Sequence, residues 1–169
     1  MTEDLIGTIL SRRSIRKYAP EPISDEQIQR ILEAAMAAPS ASNRKPWHFV
    51  IVKNKKVLNT LAENLQYGKM LHEAALCIAV CGDTAISERF WVQDCSAATE
   101  NILLAATALG LGSVWLGIYP GEDRVKMISE LLRIPENIVP LSLISIGHPA
   151  ENKEARTQFD KMQVHFEEW

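Results

Sequence analysis

Cysteine is scarce in this chain: of 169 residues only Cys77, Cys81 and Cys95 carry thiols. Their number is odd and no two form a C-x-x-C pair, which argues against a disulfide framework and a dithiol redox centre. Cys77 and Cys81 lie four apart in ALCIAVCG, so on a strand both face one side. They read as buried, reduced core residues. The four histidines, His48, His72, His148 and His165, show no ligand-like spacing, and zinc is not expected. Basic excess is missing too: the net charge of −3 argues against nucleic acid as a partner. No apolar run approaches the roughly 20 residues of a membrane helix, so no membrane partner is expected. The start, MTEDLIGTILSRRS, is acidic and amphipathic, unlike a signal peptide, and the expected location is the cytoplasm.

Recognisable catalytic patterns are also absent. There is no G-x-S-x-G, no H-E-x-x-H and no obvious pair of acids. Gly110-Leu111-Gly112 and Gly117 lack the spacing of a dinucleotide fingerprint, and no acidic residue stands where a ribose would need one. Glu100 and Asp94 read as polar surface or helix-contact residues. Such a chain suits an enzyme whose cofactor does the chemistry.

What is present is ordinary globular material, 47% apolar and 23% charged, in a length that suits one domain over residues 1–169. A short helical face runs over 2–11 through Leu5, Ile6, Ile9 and Leu10. Ser24 and Gln27 make a capping box for a helix reaching Pro39. WHFVIV (47–52), ALCIAVCG (75–82), SVWLGI (113–118) and PLSLISIG (140–147) are strongly apolar strands. Helices are expected at 55–66, 88–110 and 121–132, the longest ending near Gly110. Apolar strands alternating with helices predict a layered α/β arrangement with both sheet faces covered. The tail, FDKMQVHFEEW, is too apolar for a loose end and is expected to pack on something, a second copy of the chain being one option.

Three segments offer ligand chemistry. In an extended Arg12-Arg13-Ser14-Ile15-Arg16, residues 12, 14 and 16 share a side, and two guanidinium forks with a hydroxyl suit a phosphate. A solvated basic loop explains the same five residues. Pro39-Ser40-Ala41-Ser42-Asn43 is a turn with free hydroxyls, an amide and backbone donors, and a plain connection between helix and strand is the alternative. Gly117, at the end of a buried strand, would let backbone approach a flat ligand.

Taken together, SRRSIRKY, APSASNRKPWHFVIV, the run from Asp94 to Ser113 and ISIGHPAE followed by Arg156 resemble the nitroreductase family of FMN enzymes. The pieces occur in the family's order and span nearly the whole chain. The resemblance implies an α+β fold, a three-layer α/β/α sandwich whose central sheet is mixed and mainly antiparallel. It also implies a domain-swapped homodimer in which 150–169 is an extension packing on the partner subunit. Carried over, Arg12, Arg13, Ser14, Arg16 and Arg156 would hold the phosphate and ribityl chain of FMN. Pro39, Ser40, Ser42 and Asn43 would contact the flavin from the partner chain. Gln66 and Lys69 would bond the pyrimidine edge, with Lys69 tuning the reduced state, and the Leu116–Gly117 backbone would lie near N5. The implied activity is ping-pong hydride transfer from NADH or NADPH to a small acceptor such as a nitroaromatic or quinone. Reductive dehalogenation, flavin destruction, or a flavin carrier without its own substrate remain open on the same fold. The sequence departs from the family at Lys45, where Gln is frequent, and at Glu154, where Lys is frequent and here stands next door as Lys153. It also lacks the central insertion of larger members, leaving the acceptor side open.

Overall fold

In the computed structural model, which describes residues 5–155 and 157–169, five helices flank one five-stranded sheet. The elements in chain order are α1 (Leu5–Ser11), β1 (Tyr18–Ala19), α2 (Asp25–Met36), β2 (Trp47–Val52) and α3 (Lys55–Asn64). They continue with β3 (Leu76–Asp83), α4 (Trp91–Ala108), β4 (Gly112–Gly117), α5 (Glu122–Leu132) and β5 (Ile138–Pro149). One-turn 3-10 helices stand at Ala41–Asn43, Lys69–His72 and Lys161–Gln163.

Pairing follows the apolar runs. The long β5 lies at the centre, with β3 and then β2 on one side, and β4 and the short β1 on the other. Every strand pair is antiparallel, and the parallel component is an isolated bridge between Ser14 and Ser113. Apolar runs reveal that a strand is buried on both faces but not its direction, which is why an α/β reading and an antiparallel α+β fold share one sequence pattern.

Alternation along β3 divides the core. Leu76, Ile78 and Val80 face α2 and α4, while Cys77, Ala79 and Cys81 face α3 and α5. Three layers result. All three cysteines are free and buried, and burial pushes each thiol up to about 12. The Ser24–Gln27 capping box opens α2 as the sequence predicts. α4 ends where Gly110 takes a φ of +73°, a conformation glycine enters without a Cβ penalty. Buried faces on α4 repeat at Cys95, Ala98, Thr99, Ile102, Leu103 and Ala106, the spacing of one helical stripe. Thr99 Oγ1 meets Ser142 Oγ at 3.0 Å, and Asn101 Nδ2 donates to Ala34 O at 2.8 Å, fixing α4 to β5 and to α2.

Two missing side chains seat the strip between α1 and β1. A Cβ on Gly112 would come within 2.6 Å of Ile15, and one on Gly147 within 2.7 Å of the Tyr18 ring. Ile15 and Tyr18 occupy that space, and Tyr18 Oη donates to Ile15 O at 2.8 Å and to Ser145 O at 3.2 Å. Burial raises the Tyr18 pKa above its usual range, so this hydroxyl stays a donor.

The chain beyond β5 continues the same register. Ala150 N donates to Lys17 O at 2.9 Å, Arg16 N to Glu151 Oε1 at 2.6 Å and Lys153 Nζ to Ser14 O at 2.6 Å; Arg13 Nη1 donates to Glu154 O. The early basic strip and the late segment are thus zipped together. Further on, Phe159, Met162, Phe166 and Trp169 are exposed in the single chain, as are Leu5, Ile6, Ile9 and Leu10 of α1.

Candidate functional site

A cleft of about 320 Å³ opens at the end of β4, within the range of small-molecule pockets. The basic strip contributes Arg16, the turn after α3 contributes Leu65, Gln66 and Tyr67, β4 and the residue after it contribute Trp115 to Ile118, and α5 contributes Arg124. Four residues singled out from the sequence, Arg16, Gln66, Leu116 and Gly117, meet here although about a hundred positions separate the first from the last. A Cβ at Gly117 would touch nothing within 4 Å, so the strand end leaves open space beside its backbone. Arg16 and Arg124 both lack an ion-pair partner among the described residues. Two guanidinium groups on one cleft favour an anionic occupant.

A larger groove, about 610 Å³, lies along Tyr18–Pro22 and His72–Ala75. Its polar groups already have partners inside the chain. Glu73 Oε2 accepts from Tyr18 N at 3.3 Å, Lys55 Nζ donates to His72 O, and His72 Nδ1 meets Asn59 Oδ1 at 3.0 Å. Size alone does not select the site; unpaired donors do.

The rest of the basic strip is spoken for differently. Arg12 Nε lies 3.7 Å from Glu100 Oε1 on α4, a half-exposed pair of the kind that contributes less than about 1 kcal/mol. Arg13 is bound to the Glu154 carbonyl, and Ser14 is partly exposed with its carbonyl held by Lys153. Lys153, next to the departure at Glu154, therefore joins the strip and also lies 3.4 Å from Glu151. Arg156 lies outside the described residues. Lys69 is exposed on the turn after α3 and is not among the residues lining the cleft.

The 39–45 loop forms a second cluster, and none of its residues lines the cleft. Ser42, Asn43 and Lys45 have φ values of 52°, 56° and 51°, left-handed conformations that cost non-glycine residues about 1–2 kcal/mol each. Such strain persists only where the surroundings over-determine it. Here Asp94 does so. Its carboxylate, 5% exposed, accepts from Ala41 N at 2.9 Å and from Ser87 Oγ at 3.2 Å. Lys45 N donates to Ser40 Oγ at 3.0 Å, Asn43 N to Ser40 O at 2.9 Å, and Arg44 Nη1 to Ile86 O at 3.1 Å. The side chains of Pro39, Ser42 and Asn43 remain exposed. Of the two readings the sequence leaves for Asp94, polar surface or helix contact, burial excludes the first: the residue ties α4 to the 39–45 loop. A carboxylate looks polar in any sequence, and only the packed loop reveals that it is buried. Glu100 does behave as a surface residue.

Sequence reasoning missed Tyr67, Trp115 and Arg124. Trp115 reads as core on an apolar strand, and Arg124 as one more charge on an exposed helix. No local signal marks either.

An antiparallel α+β sandwich with a basic cleft at the end of β4, beside the central β5, describes a class of small-ligand-binding domain. Comparison with known proteins narrows it. The sequence profile of the Nitroreductase family matches residues 9–68 and 62–148. An Archaeoglobus fulgidus protein with the provisional name NADH dehydrogenase/NAD(P)H nitroreductase is 51% identical, over 99% of both chains. A crystal structure from Parabacteroides distasonis with the same provisional name superposes with a TM-score of 0.96 at 42% identity, over 99% of each chain. An FMN-dependent nitroreductase from Clostridium difficile superposes at 0.91 with 34% identity, covering 97% of this chain and 99% of that one. This chain belongs to the nitroreductase family.

Proposed function

We propose that the protein is an FMN-dependent NAD(P)H oxidoreductase that works as a homodimer in the cytoplasm and reduces a small acceptor such as a nitroaromatic or a quinone. The observation that carries this reading is the cleft at Arg16, Gln66 and Gly117: guanidinium groups without an ion-pair partner among the described residues, an amide and bare backbone meet there. The residues fit the cofactor. Arg16 suits a phosphate, Gln66 the edge of a heterocycle, and the open space beside Gly117 a planar ring. Bound FMN supplies a two-electron relay between nicotinamide and acceptor. The chain's own work is to bind and orient. Arg16 and the Lys153-braced strip would hold the anionic end, the β4 backbone would lie against the heterocycle, and Tyr67 and Trp115 line the space.

Homodimerisation is supported by the single chain's unburied apolar groups. Leu5, Ile6, Ile9 and Leu10 are 65%, 61%, 44% and 40% exposed on one short helix, and Phe159, Met162, Phe166 and Trp169 follow on the tail. Patches of this kind mark interaction surfaces. In this reading residues 150–154 stay on their own chain's 13–17 strip, which narrows the expected extension. A second copy covers α1, receives the apolar tail from Phe159 on, and brings its Pro39, Ser40, Ser42 and Asn43 to the cleft, using the loop that Asp94 stiffens.

The test begins with the visible spectrum of the purified protein. FMN bands are expected, and Arg16→Ala should weaken FMN binding about 10- to 100-fold in a fluorescence titration, the value of one charge-assisted bond at about 1.5–3 kcal/mol. A protein that takes up no flavin, or an Arg16→Ala variant with unchanged affinity, overturns the assignment of this cleft.

A further inference from the structure

We infer that Arg124 reads an oxyanion, a carboxylate or a phosphate ester, on the molecule that shares the cleft with the flavin. This rests on the functional reading above and goes past it, because that reading needs only one cationic wall. The cleft has two. Arg16 comes from the strip before β1, and Arg124 from the first turn of α5, beyond Ile118. Arg124 is held in place by its own neighbourhood. Its Nε donates to Ile118 O at 3.2 Å, and its guanidinium lies on Gly121, where a Cβ would come within 2.6 Å of Nη2, 2.7 Å of Cζ and 2.8 Å of Nε. Glycine at the helix N-cap therefore makes room for a flat guanidinium. The Nε bond fixes one edge of the fork, and no described hydrogen bond or ion pair uses its Nη donors.

Nearby acids do not neutralise it. Glu122 and Asp123 flank Arg124 in the first turn, yet neither lies within ion-pairing distance. A guanidinium seated over glycine, half-anchored and left with its Nη donors on the cleft wall, has the geometry for a planar two-point bond to an anion. The strip already supplies Arg16 for the prosthetic phosphate. Arg124 is then available to the second substrate. Two sources share that chemistry: a carboxylate on an aromatic acceptor, or the extra phosphate that distinguishes NADPH from NADH.

The test uses the FMN-loaded protein and its Arg124→Gln and Arg124→Lys variants. Benzoate and benzamide, nearly isosteric and differing in charge, are titrated while the visible flavin spectrum is followed. Arg124→Gln should raise the benzoate Kd about tenfold, or about 1.4 kcal/mol, and move the benzamide Kd by less than about twofold; Arg124→Lys should restore part of the loss. In turnover, a fall of about tenfold in the kcat/KM ratio of 4-nitrobenzoate to 4-nitrobenzamide assigns the oxyanion to the acceptor. A similar fall in the ratio of NADPH to NADH assigns it to the donor. Unchanged benzoate binding overturns the inference while leaving the flavoenzyme intact. So does a variant that loses affinity for FMN but not for riboflavin, since Arg124 would then hold the prosthetic phosphate. A protein that takes up no flavin overturns both readings together.

Discussion

Asp94 is a single buried carboxylate on which a strained loop depends. Its two oxygens hold the Ala41 amide and the Ser87 hydroxyl, and three left-handed non-glycine residues follow within four positions of Ala41. Asp94→Ala removes both acceptors and leaves two donors without partners, which should cost about 2–3 kcal/mol in urea denaturation and speed hydrogen exchange at the Ala41 amide. Asp94→Asn keeps one carbonyl acceptor and should recover roughly half. Wild-type stability and slow Ala41 exchange in the alanine variant would show that the loop is held by something else. At this scale the sequence speaks unevenly. Gly117 is legible as a place where backbone can approach a ligand, because the absence of a side chain is visible in the letter itself. Asp94 and Arg124 are not, because their roles are set by a loop amide 53 positions away in one case and by a neighbouring glycine and carbonyl in the other.

Among the elements, the pairing of residues 13–17 with 150–154 matters most to the cleft, since it fixes the backbone of Arg16. Glu151 is its hinge. The Arg16 amide hydrogen bond, and then Lys153, hold the Glu151 carboxyl below the usual carboxylate range. A carboxyl with a depressed folded-state pKa contributes stability above its unfolded pKa and loses it as pH falls through the folded value. The strip should therefore loosen only below about pH 4, where a free glutamate takes up its proton. Protection of the Arg16 amide from hydrogen exchange, taken relative to its intrinsic rate at each pH from 7 down to 3, should fall in that window, and Glu151→Gln should flatten the profile. A profile unaltered by Glu151→Gln removes Glu151 from this role. Helix and strand placement was largely readable from periodicity: WHFVIV coincides with β2, and the Ser24–Gln27 box opens α2. The long helix is shorter than its apolar pattern, Trp91–Ala108 rather than 88–110, and β5 runs on to Pro149, because paired edges decide where strands stop.

For the whole molecule, the decisive quantity is the apolar surface one chain leaves uncovered. Sedimentation velocity at micromolar concentration should give a species of twice the 18.9 kDa chain mass. Leu10→Glu, on an already exposed helix position, and removal of residues 159–169 should each shift it toward monomer and lower flavin retention, if the second copy completes the cleft. A monomeric wild-type protein that retains flavin would refute the dimeric arrangement.

Sequence by itself determined the layered core, the helix caps and the two ends of the basic strip, because periodicity, capping chemistry and arginine content are local properties carried by neighbouring residues. Strand direction, the burial of Asp94, the zipping of 13–17 onto 150–154 and the convergence of Arg16 with Arg124 were decided only by tertiary structure. Each of those depends on which distant segments share a sheet edge or a cavity wall, and hydrogen bonds and charges act across space, over distances of a few ångströms that chain spacing does not record.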